Sequence, residues 1–268
     1  MESTTIGMNR TGAATSMDGA RAMLQVASEL SPASDIDTTQ SKAERIRNIE
    51  DAESVGSIPP PATLKGVVKT GLATVAGKQP SLLMDKIGER LAYERSGVRL
   101  YECLITKYEA LGSTEDGALP TAAEALASTD SDTKLAGLEG ESPAQTLMRI
   151  RAEEHAHFKL LSQAIINLGG DPTAQTPCAD VTATASMGFV QVLSDPRTTL
   201  AQCLNVMLSA ELTDNAGWEL LARLADENGQ QDLAGQFLSA LGQEQEHLMI
   251  VRAWLEHTLN ESAGTPAV

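Results

Sequence analysis

The sequence predicts an all-α protein: a four-helix bundle with a long connection between its second and third helices and a partly ordered N-terminal extension. Three observations predict it. Four long segments carry apolar stripes whose spacing alternates three and four, the period of a helix that buries one face. Each stripe is interrupted by a glutamate at a core-facing position. Two of those glutamates open a Glu-x-x-His motif, Glu154 to His157 and Glu244 to His247, in a chain with four histidines in all.

Residues 1–80 read as an extension rich in Ser, Thr, Ala and Pro, with short helical patterns near Met17–Leu30 and Ser41–Ser54. The run from Ser57 to Pro61 predicts an extended polyproline linker. Residues 62–76 predict a small helix with Leu64, Val67, Val68, Leu72 and Val75 apolar, made locally basic by Lys65, Lys69 and Lys78. Two readings fit this arm: a docking element for a second copy or a partner, or a tail lying on the bundle.

The bundle is expected over residues 81–260, with 261–268 as a tail. Its first helix starts at Ser81, a plausible N-cap, and ends at Leu111-Gly112. Its stripe is Met84, Ile87, Leu91, Glu94, Val98, Tyr101, Ile105, Tyr108. Residues 112–142 form a polar connection with a short helix at Thr121–Ala127. The second helix opens on Ser142-Pro143, a cap followed by proline at the first helical position, and stops at Gly169-Gly170-Asp171-Pro172. Its stripe is Leu147, Ile150, Glu154, His157, Leu161, Ala164, Leu168. Residues 170–197 read as a long link holding a short helix at Thr184–Leu193. The third stripe is Leu200, Leu204, Met207, Glu211, Asp214, Trp218, Leu221, and a turn at Glu227–Gln230 leads into the fourth helix, Gln231 to Leu259, with stripe Phe237, Ala240, Glu244, His247, Val251, Trp254.

Composition narrows the function. The 268 residues carry a formal net charge of −16, with a pI near 4.6. Such an acidic surface argues against nucleic acid and anionic membranes as partners. The three cysteines, Cys103, Cys178 and Cys203, are odd in number, scattered and free of any Cys-x-x-Cys pair. That argues against a disulfide framework and for a reducing compartment. With no signal-like N-terminus and no apolar span, a cytoplasmic location is the expectation.

A carboxylate and an imidazole three residues apart on a helix lie on one face, about one turn apart, where both can grip one divalent transition metal. Burying an unpaired carboxylate costs several kcal/mol. Four helices each placing one inward therefore imply a shared compensating charge, and a pair of metal ions is the simplest. Zinc alone more usually takes a closed Cys/His site, so iron or manganese is favoured.

The order Glu94, Glu154 with His157, Glu211, Glu244 with His247 is the constellation of di-iron and di-manganese carboxylate bundles. At these residues, and over residues 82–258, the chain resembles the ferritin-like superfamily, nearest to its rubrerythrin, erythrin and bacterioferritin branch. The resemblance implies the crossover topology and two iron ions, with manganese as the alternative. It implies Glu94 and His157 on one metal with Glu154 near it and able to bridge. It places Glu211 and His247 on the other, with Glu244 as the second bridge. Lacking a Cys-x-x-Cys site, the chain departs from rubrerythrins that carry a rubredoxin-type iron, so electrons come from outside or from substrate.

The rubrerythrin pattern has an extra carboxylate where this chain has Asp214. Asp214 reads as a seventh ligand or a proton relay, or as a support behind the ligands or a partly solvated helix acid, and its being one methylene shorter than the Glu usual there counts against direct ligation. Tyr101 and Trp218 read either as redox-active neighbours or as plain core. Gly97, one turn after Glu94, either opens space for oxidant or allows close helix packing. Glu153, His155 and Glu246 fall off the stripes and are expected to be solvated. Asp214 and Tyr101 are thus the candidate catalytic residues beside six candidate ligands. The implied chemistry is oxidation of a ferrous pair by O₂ or H₂O₂, of ferroxidase or peroxidase type. A di-iron oxygenase acting on an organic substrate and an iron-storage or metal-binding protein are the alternatives.

Overall fold

A computed structural model describes residues 16–30, 38–75, 78–111, 119–128, 138 and 140–264. Among them the chain is all-helical, with nine helices and no strand, and no helix is long and apolar enough to cross a membrane. The chain divides into two compact units, Met1–Glu53 and Ser54–Val268. The division falls well before residue 80, the expected end of the arm.

The first unit holds α1 (Met17–Leu30) and α2 (Thr39–Asp51), both close to their expected positions. Met23, Val26 and Leu30 on α1 are exposed.

The second unit begins with the proline run, which forms no helix or strand. It does not hang free. The Ala62 amide donates to the Gly169 carbonyl at 2.8 Å, and Ile58 and Pro59–Pro61 line a cavity with Met84, Ile165 and Leu168. Gly169 ends the helix Pro143–Leu168 in the left-handed conformation, φ 88°, where glycine has no Cβ penalty. Helix α3 (Leu64–Val75) follows; the side chains of Lys65, Lys69, Leu72 and Val75 lie outside those described.

Four long helices make the rest: α4 (Pro80–Leu111), α6 (Pro143–Leu168), α8 (Leu200–Glu227) and α9 (Gln231–Gly264). Their starts are written in local chemistry. Ser142 with Gln145 and Thr199 with Gln202 form capping boxes, and Pro143 occupies the first turn of α6. At α4 the Asn228 side chain does the capping, accepting from the Gln79 amide at 3.0 Å, so the helix begins one residue before Ser81. Helix α9 runs on to Gly264, past the expected Leu259. Short α5 (Ala122–Ala127) has its own capping box from Thr121 and Glu124.

Helix α7 (Pro177–Ser194) is a correction. The expected short helix at Thr184–Leu193 is the second half of an 18-residue helix that packs along α4. Its start is set by the Thr176 cap and Pro177. Thr176 Oγ1 also donates to the Asp85 carbonyl at 3.1 Å, and the Asp85 side chain accepts from the Cys178 amide at 2.9 Å. Its Ala/Thr/Ser-rich sequence buries little beyond Ala179 and Leu193, which is why it shows no clear apolar stripe.

Helix α4 packs against α6 and α8, and α9 against α8 and α6. Their buried apolar residues fall into two clusters. One contains Leu100, Leu104, Leu147, Ile150, Leu204, Met207, Val251 and Trp254. The other contains Ile87, Leu91, Leu161, Trp218, Leu221 and Phe237. On every one of the four helices the glutamate of the stripe lies between the two clusters. The order in which each helix meets them shows that α4 and α9 run one way and α6 and α8 the other. Parallel α6 and α8 need a long return, and the segment carrying α7 supplies it. Each fully buried Leu, Ile or Phe contributes roughly 1.5–3 kcal/mol, so the two clusters together can sustain a polar layer that would not fold alone.

Candidate metal centre

The polar layer is formed by Glu94 on α4, Glu154 and His157 on α6, Glu211 on α8, and Glu244 and His247 on α9. Each is at most 3% exposed. The spacing predicted this: each lies at the stripe position that a 3.6-residue repeat turns inward. Their ligand-type atoms fall into overlapping groups, within each of which all lie inside 4.8 Å of one another. One group is Glu154, Glu211, Glu244 and His247; a second is Glu94, His157 and Glu244; a third is Glu94, Glu154, Asp214 and Glu244. Glu244 belongs to all three. Glu154 falls in the group of Glu211 and His247 and, through the third group, also beside Glu94.

The two imidazoles are held by their outer nitrogens. His157 Nε2 lies 2.9 Å from Gln243 Oε1, and His247 Nε2 lies 2.8 Å from Glu153 Oε2. Both Nδ1 atoms face inward. His157 Nδ1 is 2.6 Å from Glu244 Oε1 and 3.5 Å from Glu94 Oε2; His247 Nδ1 is 3.3 Å from Glu244 Oε2 and 3.4 Å from Glu154 Oε1. The outer carboxylate oxygens are tied too. Trp218 Nε1 donates to Glu94 Oε1 at 2.9 Å, and the Tyr101 hydroxyl donates to Glu211 Oε1. What remains is an inner set whose atoms meet only one another: Glu94 Oε2, Glu154 Oε2, Glu211 Oε2, both Glu244 oxygens and both Nδ1 atoms. Buried polar atoms are normally satisfied. Here seven ligand-type atoms turn inward with only one another as partners, acids against imidazoles, and residues behind them fix several of their outer sides, as residues behind metal ligands do. Four carboxylates and two imidazoles in this arrangement could hold divalent metal.

The proton affinities record the same crowding. Burial and the Glu244 charge push the Glu211 carboxyl up to about 8, and burial with Glu244 holds Glu154 well above the usual carboxylate range. Burial alone would lower His157, but the Glu244 and Glu94 carboxylates outweigh it and raise it to about 11. His247 is likewise raised against burial, chiefly by Glu244. Glu244 itself falls to about 2, because the two imidazoles overcome its burial.

Several neighbours take roles the sequence did not assign. Glu153 and Glu246, expected to be solvated, are joined through Arg149, which also binds Glu141, and Glu153 orients His247. His155 packs edge-on against Phe158 at 6.2 Å, away from the centre. Gly97 is needed by Glu154: a Cβ there would lie 2.9 Å from the Glu154 carboxyl carbon and collide with Oε2. Asp214 is no solvated helix acid. It is buried and ion-paired with Arg90. Arg90 and Gln243 were not anticipated. For Gln243 a signal existed: in both motifs the residue just before the glutamate, Glu153 or Gln243, holds the other motif's histidine.

No family model, curated protein or solved structure matches the chain.

Proposed function

We propose that the four long helices form a ferritin-like bundle around a dinuclear iron or manganese centre, and that the protein oxidises a ferrous pair with H₂O₂ or O₂. The observation that carries this reading is the inward cluster of ligand-type atoms on six buried side chains, which have only one another to face. The helix directions support the bundle: α4 and α6 antiparallel, α8 and α9 antiparallel, and a long return between parallel α6 and α8 is the crossover topology. Two ferrous ions bound there would supply the two electrons that convert H₂O₂ and two protons into two waters.

The chain's own groups do the rest. Glu244 reaches both sides of the centre and neutralises both. His157 and His247 present Nδ1 because Gln243 and Glu153 hold Nε2. Trp218 and Tyr101 fix Glu94 and Glu211, leaving one oxygen of each turned inward. The Tyr101 hydroxyl is the proton nearest to Glu211, and it sits edge-on to His247 at 6.3 Å between ring centroids. The flanking apolar clusters exclude water, so charge in this layer is stabilised by fixed groups rather than by solvent.

Stopped-flow mixing of the anaerobic ferrous-loaded protein with each oxidant tests the reading. The expected outcome is oxidation by both, faster with peroxide, ending at about two irons per chain. Uptake far beyond two would favour storage, and a ferrous form inert to both oxidants would overturn the proposal.

A further inference from the structure

We propose that Arg90 is a positioning residue that holds Asp214 out of the ligand set, so that the centre binds two divalent ions on six side chains and keeps one face open. This rests on the metal-centre reading above. Asp214 is within ligand reach: one of its oxygens lies inside 4.8 Å of ligand atoms of Glu94, Glu154 and Glu244. Its Oδ1 is engaged elsewhere. Arg90 Nη1 donates to Asp214 Oδ1 and, at 3.2 Å, to the Asp214 backbone carbonyl.

The guanidinium is built into place. Arg90 is 2% exposed, its Cζ sits 4.2 Å from the centroid of the Tyr93 ring, and the Tyr93 hydroxyl is tied to the Ala210 carbonyl at 3.0 Å. On α8 it lies against Gly217, where a Cβ would come within 2.7 Å of Cζ. A side chain there would push the guanidinium aside.

Charge explains why such a pair sits beside the centre. Four glutamates balance two divalent ions, and Arg90 balances Asp214. Ligation by Asp214 without Arg90 would leave the buried layer one charge negative. Loss of Asp214 alone would leave it one charge positive. Buried charges left uncompensated are costly, so each variant shifts cation affinity in its own direction.

Cobalt(II) is the probe, because its visible bands weaken as its coordination number rises. The wild-type protein is expected to bind about two Co²⁺ per chain. D214N should give the wild-type cobalt spectrum, since Asp214 is not a ligand, with affinity weakened about tenfold or more by the uncompensated Arg90. R90M should bind cobalt tighter by a similar factor and show weaker bands, because Asp214 is released to the metal. R90K should keep the wild-type spectrum, and the double variant R90M/D214N should restore both spectrum and affinity. Circular dichroism reports folding in each case, and D214N with the double variant decides the matter even where R90M does not fold. A changed cobalt spectrum in D214N, or a wild-type spectrum and affinity in folded R90M, would overturn the role of Arg90. Wild-type protein that binds no stoichiometric cobalt would instead overturn the centre itself, and this inference with it.

Discussion

The α4–α6 half of the layer and the α8–α9 half are near copies that support each other crosswise. Seven residues after Glu94 stands Tyr101, which bonds the other half's Glu211; seven after Glu211 stands Trp218, which bonds Glu94. Each histidine is held by the residue that precedes the opposite motif's glutamate. Neither half can orient its own ligands. The differences lie at matching positions. His247 leans on a carboxylate, Glu153, and His157 on a neutral amide, Gln243. Three residues after Glu94 comes Gly97, and three after Glu211 comes Asp214 with its Arg90 partner. The comparison teaches that an internal repeat can supply the ligands in pairs while single exceptions make the two sides chemically unequal.

The largest effect is expected where the halves share one residue. Glu244→Ala removes a carboxylate common to every ligand group. Metal content should fall from about two ions per chain toward none. His157→Ala or His247→Ala should cost mainly the ion on its own side. Elemental analysis alongside helical circular dichroism reads this, and full metal content in both histidine variants would sink the ligand assignment.

The inequality of the histidine supports comes next. Glu153→Gln makes the two alike, and loss of such a support typically lowers metal affinity about 10–100-fold. The drop should be confined to one of the two ions in a competition titration. The converse change, Gln243→Glu, adds a charge without removing a contact and should have the smallest effect of all.

Gly97→Ala is a smaller structural test. Alanine in mid-helix gains about 1 kcal/mol in propensity, but overpacking against Glu154 costs typically about 1–3 kcal/mol. Net destabilisation with weakened metal binding is expected. A variant that melts higher and binds normally would show that Glu154 has room to move.

The metal-free protein should also reveal the crowding through pH. Glu211 rises from 4.5 to about 8, so the native state keeps a proton that the unfolded chain loses. Its contribution to stability is full below pH 4.5 and disappears as pH rises through 8. Glu154 acts in the same sense. His157, raised from 6.5 to about 11, adds stability below 6.5 that is lost as pH climbs through 11. Glu244, lowered to about 2, works oppositely, but only as pH falls from 4.5 toward 2. The chelated protein should therefore melt lower at pH 9 than at pH 5, and Glu211→Gln should flatten that slope.

By itself the sequence determined the helical class, the start of α6, and the six inward residues. Each of these is a property of one helix: a 3.6-residue period decides which face is buried, and a Ser followed by Pro decides where the helix begins. The tertiary structure alone decided the rest. It turned the proline run onto the bundle, extended α7 along α4, set Glu154 within reach of both His247 and Glu94, put Glu153 and Gln243 behind the histidines, and set Arg90 against Asp214. A stripe tells which way a side chain points but not which helix stands opposite, at what height, or which of two oxygens turns inward. Those depend on how four helices pack at once, and no spacing within one of them carries that information.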